Sequence, residues 1–366
     1  MQNLSMKHRC IIGFTLFSMF FGAGNLIFPP LLGAQAGRDT LIAMAGLGLT
    51  AVLLPILSVM AVARHDGLTN LVGSIHPVLA ILFAVFVHLM IGPCVAIPRT
   101  ASTSFEMAVA PFLHNSDQTL FLIRCVYSFV FFTVAIMIAL KPTHLKDLLG
   151  KIMTPVLLVL IAVTFFGVLV KLPALFAAPN AYYAEHPIRS GFITGYQTMD
   201  ILAAYNFGTV ISMNIESFGI TDKKAVASET IRAGIMAGVM LIIVYGATSY
   251  IGAVCSVDFP GAQNGAEILT WAVKACYGIY GQLIIGAIFF IACFNVCVGL
   301  LCCCATFFHE LLPKISYVAW LIIFAVSSFV ISSAGLNFIL TMSLPVLQIM
   351  CPVAILITVY GLIRKP

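Results

Sequence analysis

The sequence predicts an all-α integral membrane protein of about ten transmembrane helices, a five-plus-five inverted repeat whose first and sixth helices are broken. Three observations predict it. Hydrophobic residues make up 61% of the 366 residues and charged residues only 8%, against roughly 45–50% and about 25% in soluble domains. Apolar runs of bilayer length recur from end to end, with no polar block long enough to fold alone. Two of those runs, in corresponding places of the two halves, carry glycine and polar residues where a lipid-facing helix would not.

Runs of about 20 apolar residues fall at 10–36, 40–62, 77–110, 119–140, 152–170, 196–219, 232–255, 280–306, 317–333 and 338–362. They form one transmembrane domain over 1–366, with repeat one at about 10–170 and repeat two at about 196–362. The third run is longer than a bilayer needs and is expected to continue as an interfacial helix until Pro111 stops it.

Basic residues set the orientation, because short cytoplasmic loops are enriched in Lys and Arg. A cytoplasmic N-terminus puts Lys7, Arg9, Arg64, Lys141, Lys146, Lys151, Lys223, Lys224, Arg232, Lys314, Arg364 and Lys365 inside, and Arg38, Arg124, Lys171, Arg189 and Lys274 outside. Arg99 lies within the third run. An even number of crossings returns the C-terminus to the cytoplasm. The net charge of +5 is accounted for by these loops, and no basic stripe interleaved with aromatics points to nucleic acid.

Eleven cysteines sit mostly inside apolar runs, Cys302, Cys303 and Cys304 among them, where a thiol acts as a small hydrophobe. Paired metal-ligand spacings are absent and no metal is expected; Cys293 and Cys297, one helical turn apart, read as packing. Lys7 and Arg9 before an apolar run, with Ala34-Gln35-Ala36 after it, imitate a secretory signal. The run is too long for one and is interrupted by Asn25 and Pro29-Pro30, so cleavage is not expected. Two outer connectors, roughly 171–195 and 256–279, are long enough for structure of their own. The amphipathic stretch from Asn264 to Lys274 reads equally as a cap on an external vestibule or as part of a long connector.

The first run carries Phe21-Gly22-Ala23-Gly24-Asn25 at its middle and Phe28-Pro29-Pro30 soon after. Small residues alone suit close helix packing, but packing does not explain Asn25 and two prolines together, and an interrupted helix is expected. Non-helical backbone at membrane depth survives only where protein buries it or water lines it, and broken helices hold substrate at the bilayer midplane in many carriers. The N-terminal end of a half-helix favours an anionic group, whereas exposed carbonyls suit a cation or an ammonium. Run six repeats the pattern, from Gly195-Tyr196-Gln197-Thr198-Met199-Asp200 through Tyr205-Asn206-Phe207-Gly208-Thr209 to Asn214 and Glu216.

Arg99, Glu106, Asp200 and Glu216 are the ionisable groups of the runs, each costing at least about 2.5–3.5 kcal/mol at a bilayer centre. They are expected to face protein or water, as a structural ion pair or as coupling or gating groups. Arg99 and Glu106 share a face of the third run, so either can meet Asp200 or, through water, the other. His88 reads as a satisfied interhelical bond. Asn295, the one strong polar side chain at the centre of run eight, reads as a cation ligand or as polar glue between helices. No HExxH, GxSxG or Walker-type loop is present, so no enzymatic reaction and no cofactor are assigned; a channel filter motif is also missing.

At these residues the chain resembles the branched-chain amino acid carriers, the leucine-isoleucine-valine:cation symporters of bacteria, in the amino acid-polyamine-organocation superfamily. The resemblance runs in order through Phe21-Gly-Ala-Gly-Asn-Leu-Ile-Phe-Pro-Pro30, Pro98-Arg-Thr-Ala-Ser-Thr-Ser-Phe-Glu106, Gly195-Tyr-Gln-Thr-Met-Asp200, Phe207-Gly208, Asn264-Gly-Ala-Glu-Ile-Leu269, Ile291-Ala-Cys293, Val298-Gly-Leu300 and Pro345-Val-Leu347. Members of that family usually extend further at the C-terminus; what is present resembles their five-plus-five core. The resemblance implies that backbone at Gly22, Ala23, Gly24 and Asn25 receives a substrate carboxylate, and that a break near Asn206, Phe207 and Gly208 completes the pocket. The aliphatic side chain would lie against spans three, six and eight. It also implies a sodium ion between the carbonyls of Phe20 and Ala23 and hydroxyls of span eight. Asn295, Val296 and Leu301 stand where hydroxyls are expected, so co-transported Na+ and H+ both remain open. The implied function is uptake of leucine, isoleucine, valine and possibly methionine by alternating access at a bacterial cytoplasmic membrane. The alternatives are an amino acid sensor on a carrier fold and a carrier for another small solute.

Overall fold

The computed structural model describes residues 4–65, 67–113, 117–259, 262 and 264–364, and among these every regular element is helical. Lys365 lies outside the described residues. Helix α1 (Met6–Phe20) is started by Ser5, whose hydroxyl accepts the His8 N–H at 3.3 Å. It stops at Phe21, Gly22 is extended, and α2 (Ala23–Ala36) resumes the crossing. Pro29 and Pro30 lie inside α2, so the break is made at Phe21-Gly22 and not at the prolines.

Span two is α3 (Thr40–Gly48), a π-helical turn and α4 (Leu54–Arg64), followed by the short α5 (Leu68–Gly73). Span three is not the continuous helix its length suggested. Helix α6 (Pro77–Leu89) runs into a kink at Gly92-Pro93 before α7 (Ala96–Ala108) continues. Proline cannot continue the N–H ladder, and the His88 carbonyl takes the Cys304 thiol at 3.4 Å instead. His88 itself bonds Ala84 O of its own helix at 2.7 Å and stacks on Phe307; its polar partner is not on another helix. Span four is α8 (Asp117–Ala139), and span five ends in α9 (Thr154–Lys171).

After the small α10 (Ala181–Ala184), span six begins earlier than hydropathy indicated, because α11 (Pro187–Tyr196) is its first half and α12 (Asp200–Glu216) its second. The last part of the connector expected at 171–195, from Pro187, therefore belongs to span six. The second half closes with α13 (Lys223–Cys255), the outer α14 (Gly265–Tyr277), α15 (Ile279–Leu311), α16 (Tyr317–Ser332) and α17 (Leu336–Ile363). Seven helical runs are individually long and apolar enough to cross a membrane. Ten crossings follow when α1–α2 and α11–α12 each count once, the run Ala23–Arg64 is divided at its outer turn, and the 16-residue α16 is added.

Each broken span packs along the helix that follows the other in the repeat: α2 on α13, and α11 on α3. Glycines let the backbones touch. A Cβ on Gly33 would come within 1.9 Å of Ser249 O, and one on Gly252 within 1.9 Å of Pro30 O. On the symmetry-related pair, Gly191 meets Ala43 O at 1.9 Å and Gly46 meets Ile188 O at 2.0 Å. Helix α14 is capped by Asn264, which accepts the Glu267 N–H at 3.1 Å. Gly265 brings its start against Ile27 O of α2, so the amphipathic stretch covers the outer end of span one.

At the opposite face, Arg9 binds the buried Glu229 carboxylate through both oxygens at 2.9 Å, and Arg232 adds a third bond at 2.7 Å. Thr154 donates to Phe14 O at 3.0 Å, and Lys146 bonds Ser217. His65 contacts Gly361 O, and Arg364 donates to Ser74 O, which puts both termini on this face.

Gly252→Val forces a branched side chain onto the Pro30 carbonyl and is expected to cost at least about 1–3 kcal/mol. Gly246→Ala, where a Cβ has open space within 4 Å, is expected to hold or gain stability by up to about 1 kcal/mol. Thermal unfolding of both variants in detergent checks the opposite signs.

Candidate functional site

The two breaks face each other. At the first, a continuing helix would send the Gly22 N–H to Ser18 O; it goes instead to Asn25 Oδ1 at 3.1 Å. Carbonyls at the end of α1 are thereby released, and the first N–H groups of α2 have no partner within their helix. At the second, α11 tightens into three-residue bonds, Gln197 N to Thr194 O at 3.1 Å and Met199 N to Tyr196 O at 3.2 Å. Thr198 donates its hydroxyl to Gly195 O at 2.9 Å. Met199 then takes a left-handed conformation, φ 68°, and Asp200 opens α12 in the favourable first turn.

The break in span six is therefore at Gln197-Thr198-Met199, not near Asn206-Phe207-Gly208 as expected. Through those three residues α12 is unbroken. A Cβ on Gly208 would meet the Val62 side chain at 3.3 Å.

One side-chain joint closes the gap between the breaks. Asn25 donates its amide to Asp200 Oδ2 at 2.7 Å and to the Tyr245 hydroxyl, and Tyr245 donates to the same carboxylate oxygen at 3.1 Å. All three residues are buried, and they tie α2, α12 and α13 together. Beside them Gly24 leaves no room: a Cβ there would lie 3.1 Å from Arg99 Nη2 and 3.2 Å from Thr198 Cα. The kink in span three brings Ile91, Ala96, Arg99 and Thr100 to the same place.

A small cavity, about 20 Å³, lies at this junction, lined by Met19, Phe20, Gly22, Ala23 and Asn25 of span one, Thr198 to Asp200, Ala203 and Phe207 of span six, and Val296 and Leu300 of span eight. That is room for about one water. Its floor is closed by Phe20 edge-on to Phe207, ring centres 5.0 Å apart.

The predicted site residues divide. Gly22, Ala23, Asn25, Phe20, Phe207, Arg99 and Asp200 line the cavity, and Gly24 backs it. Asn206 points its amide into buried surroundings with neither polar atom bonded. Gly208 and Glu216 line a second cavity of about 200 Å³, with Val62, Thr209 and Ser212, toward the face that holds the termini. Glu106 is far from Asp200 in function: it pairs with Arg124 of span four at 2.8 Å. Arg99 meets neither Glu106 nor Asp200 in a hydrogen bond, and among the described residues donates only to Gln197 O, at 3.4 Å. Asn295 donates to Ser18 Oγ at 2.5 Å, one turn away from the Phe20 and Ala23 carbonyls, leaving its own Oδ1 buried without a donor. Tyr245 and Thr198 were missed. The Thr198 hydroxyl resembles any other in the sequence, and Tyr245 sits on a span with no interruption to draw attention to it.

Tyr245→Phe removes one donor from Asp200 and one acceptor from Asn25. It is expected to lower stability by about 1–3 kcal/mol, read as a lower unfolding temperature in detergent with unchanged helix content.

The chain matches the family model described as "Branched-chain amino acid transport protein" over residues 5–366. It is 37% identical over 356 residues to the branched-chain amino acid permease BrnQ of Bacillus subtilis (strain 168), covering 97% of this chain and 80% of that one. It is 36% identical over 366 residues to the permease BraB of the same organism, covering 100% of this chain and 82% of the relative. Among solved structures it shares the fold of MhsT, crystallised in complex with L-phenylalanine, with a TM-score of 0.52 at 15% identity over 98% of this chain and 88% of that one. The chain belongs to the branched-chain amino acid transport protein family.

Proposed function

We propose that this protein carries leucine, isoleucine and valine, with methionine as a further substrate, into bacteria by alternating access in symport with a cation. The observation that carries the reading is the meeting of two half-helix N-termini, at Ala23 and Asp200, over a buried cavity walled by apolar side chains of spans one, three, six and eight. The N–H groups of Ala23, Gly24 and Asn25, which have no partner within α2, suit the carboxylate, and Ile91, Val296 and Leu300 suit an aliphatic side chain. Selectivity among aliphatic side chains is expected to be loose, because one methylene in an apolar pocket discriminates by about 1–3 kcal/mol.

A cavity of about 20 Å³ does not hold a leucine, so loading requires the elements around it to separate. The second cavity, along the inner half of α12, supplies the start of a release route past Phe207, with Asn206 and Gly208 on its way. For the cation, sodium or a proton, the carbonyls of Phe20 and Ala23 are candidate oxygens, and Asn295 Oδ1, buried without a donor, is a third. Coupling requires the ion to bind the substrate-loaded state better than the empty one. Asp200 is the cavity's carboxylate, whereas Glu106 and Glu216 lie toward opposite faces. The face bearing both termini and most of the basic residues is assigned to the cytoplasm.

Purified protein in liposomes is expected to accumulate labelled leucine, isoleucine and valine under an imposed sodium or proton gradient and not without one. Driving by sodium alone assigns the ion to the Phe20–Ala23–Asn295 region, and driving by protons alone to Asp200. Binding without accumulation under any gradient would favour a sensor instead. Gly24→Leu, which must displace Thr198 or Arg99, is expected to weaken leucine binding by at least about 100-fold; unchanged binding would remove the site from this junction.

A further inference from the structure

The cavity holds one cation and one anion of its own, and they do not touch. The Arg99 side chain is 95% withdrawn from solvent. Among the described residues its Nε has no partner, and its one hydrogen bond is the 3.4 Å contact to Gln197 O at the break in span six. A guanidinium carries five N–H donors in a planar fork, and leaving most of them unmet in a buried place is costly. Asp200 lines the same cavity and acts on Arg99 electrostatically without a hydrogen bond between them. One of its oxygens, Oδ2, carries both the Asn25 and Tyr245 bonds.

Position gives the two charges a meaning. Arg99 Nη2 lies where a Cβ of Gly24 would be 3.1 Å away, so the guanidinium stands beside the free N–H groups that begin α2. Positive charge and helix N-terminus converge on one spot, which suits a carboxylate. Asp200 opens α12 on the same cavity, and its carboxylate suits an ammonium. An α-amino acid is a zwitterion with both groups on one carbon.

We propose that Arg99 and Asp200 form a built-in recognition pair for the zwitterion, the Arg99 guanidinium taking the substrate carboxylate together with the α2 N-terminus, and the Asp200 carboxylate taking the ammonium. The proposal rests on the transport reading and names the side chains that read the polar half of its substrate. In the loaded protein both buried charges are neutralised by the substrate, so the pair rejects molecules that carry only one of the two groups.

The test is a thermal-shift titration of purified protein with three probes: leucine, 4-methylpentanoate, which is leucine without its ammonium, and 3-methylbutylamine, which is leucine without its carboxylate. Arg99→Gln is expected to weaken leucine and 4-methylpentanoate by about 10- to 100-fold and to leave 3-methylbutylamine unchanged. Asp200→Asn is expected to do the reverse, weakening leucine and 3-methylbutylamine while sparing 4-methylpentanoate. Where either neutral variant does not fold, Arg99→Lys and Asp200→Glu, which keep the charge and spoil the geometry, are expected to show the same crossed pattern at about tenfold.

Leucine binding by folded Arg99→Gln within about threefold of the unsubstituted protein, a change below 1 kcal/mol, overturns the assignment, as does an equal response of both analogues to both substitutions. Leucine binding that Arg99→Gln regains on addition of sodium, with no such effect in the unsubstituted protein, also overturns it and makes Arg99 a stand-in for a bound ion. If the unsubstituted protein binds no branched-chain amino acid, the transport reading itself fails, a result distinct from all of these.

Discussion

Backbone groups released inside a bilayer have no water to turn to, and the whole arrangement follows from how two such releases answer each other. The break in span one exposes N–H groups at Ala23 and beyond; the break in span six brings a carboxylate, Asp200, to the same level. Asn25 and Tyr245 join them. Neither broken helix is self-sufficient. A buried aspartate costs at least about 2.5–3.5 kcal/mol in the middle of a membrane, and here that cost is offset by two hydrogen-bond donors and the first turn of α12. Without Asp200 the Tyr245 hydroxyl would lose its acceptor and the Asn25 amide one of its two.

The two faces of the molecule are held by different physics. On the outer side, Gly33, Gly252 and Gly265 bring α2 against α13 and α14 backbone to backbone, and Gly46 and Gly191 do the same for α3 and α11. Such seams gain from close dispersion contact and do not loosen gradually, because interiors are packed too tightly to deform continuously. On the side that carries the termini, the inner halves α1 and α12 are tied by side chains: Arg9 to Glu229, Thr154 to Phe14 O, Lys146 to Ser217. Of these, Arg9 is partly exposed, whereas Glu229, Thr154 and Lys146 are buried. The cavity beside Gly208 and Glu216 lies on this side.

Much of this was legible in the sequence, and where it failed the reasons are physical. Hydropathy found every crossing because lipid tolerates so few residue types, and polar residues inside apolar runs marked spans one, three and six. The position of the break in span six was not legible. Asn206-Phe207-Gly208 looks like an interruption, yet the lone glycine there stays helical, while Gln197-Thr198-Met199, with no glycine or proline, breaks. It breaks where Met199 N turns to Tyr196 O and the Thr198 hydroxyl joins its own N–H on Gly195 O, and Asp200 is held elsewhere. Pro29 and Pro30 misled in the same way. Arg99 and Glu106 share a helix face in the sequence, but which neighbour each meets depends on α8 and α11, whose relative placement no local pattern encodes.

Charge and shape divide the labour of recognition at the junction. The apolar wall of Ile91, Val296 and Leu300 can favour a branched aliphatic side chain, but each methylene gained or lost there changes affinity by only about 1–3 kcal/mol. The polar end is stricter, because a buried guanidinium or carboxylate left without a partner loses more than a methylene can repay. A cavity built this way sorts first by whether a molecule is an amino acid at all and only then by which one. The kink at Gly92-Pro93 serves both tasks at once. It turns Ile91 and Ala96 toward the aliphatic wall and, one turn further along α7, carries Arg99 to the end of α2. In a straight helix Ile91 and Ala96, five residues apart, would point about 140° away from each other. The bend is what lets one helix contribute to both ends of the same small site.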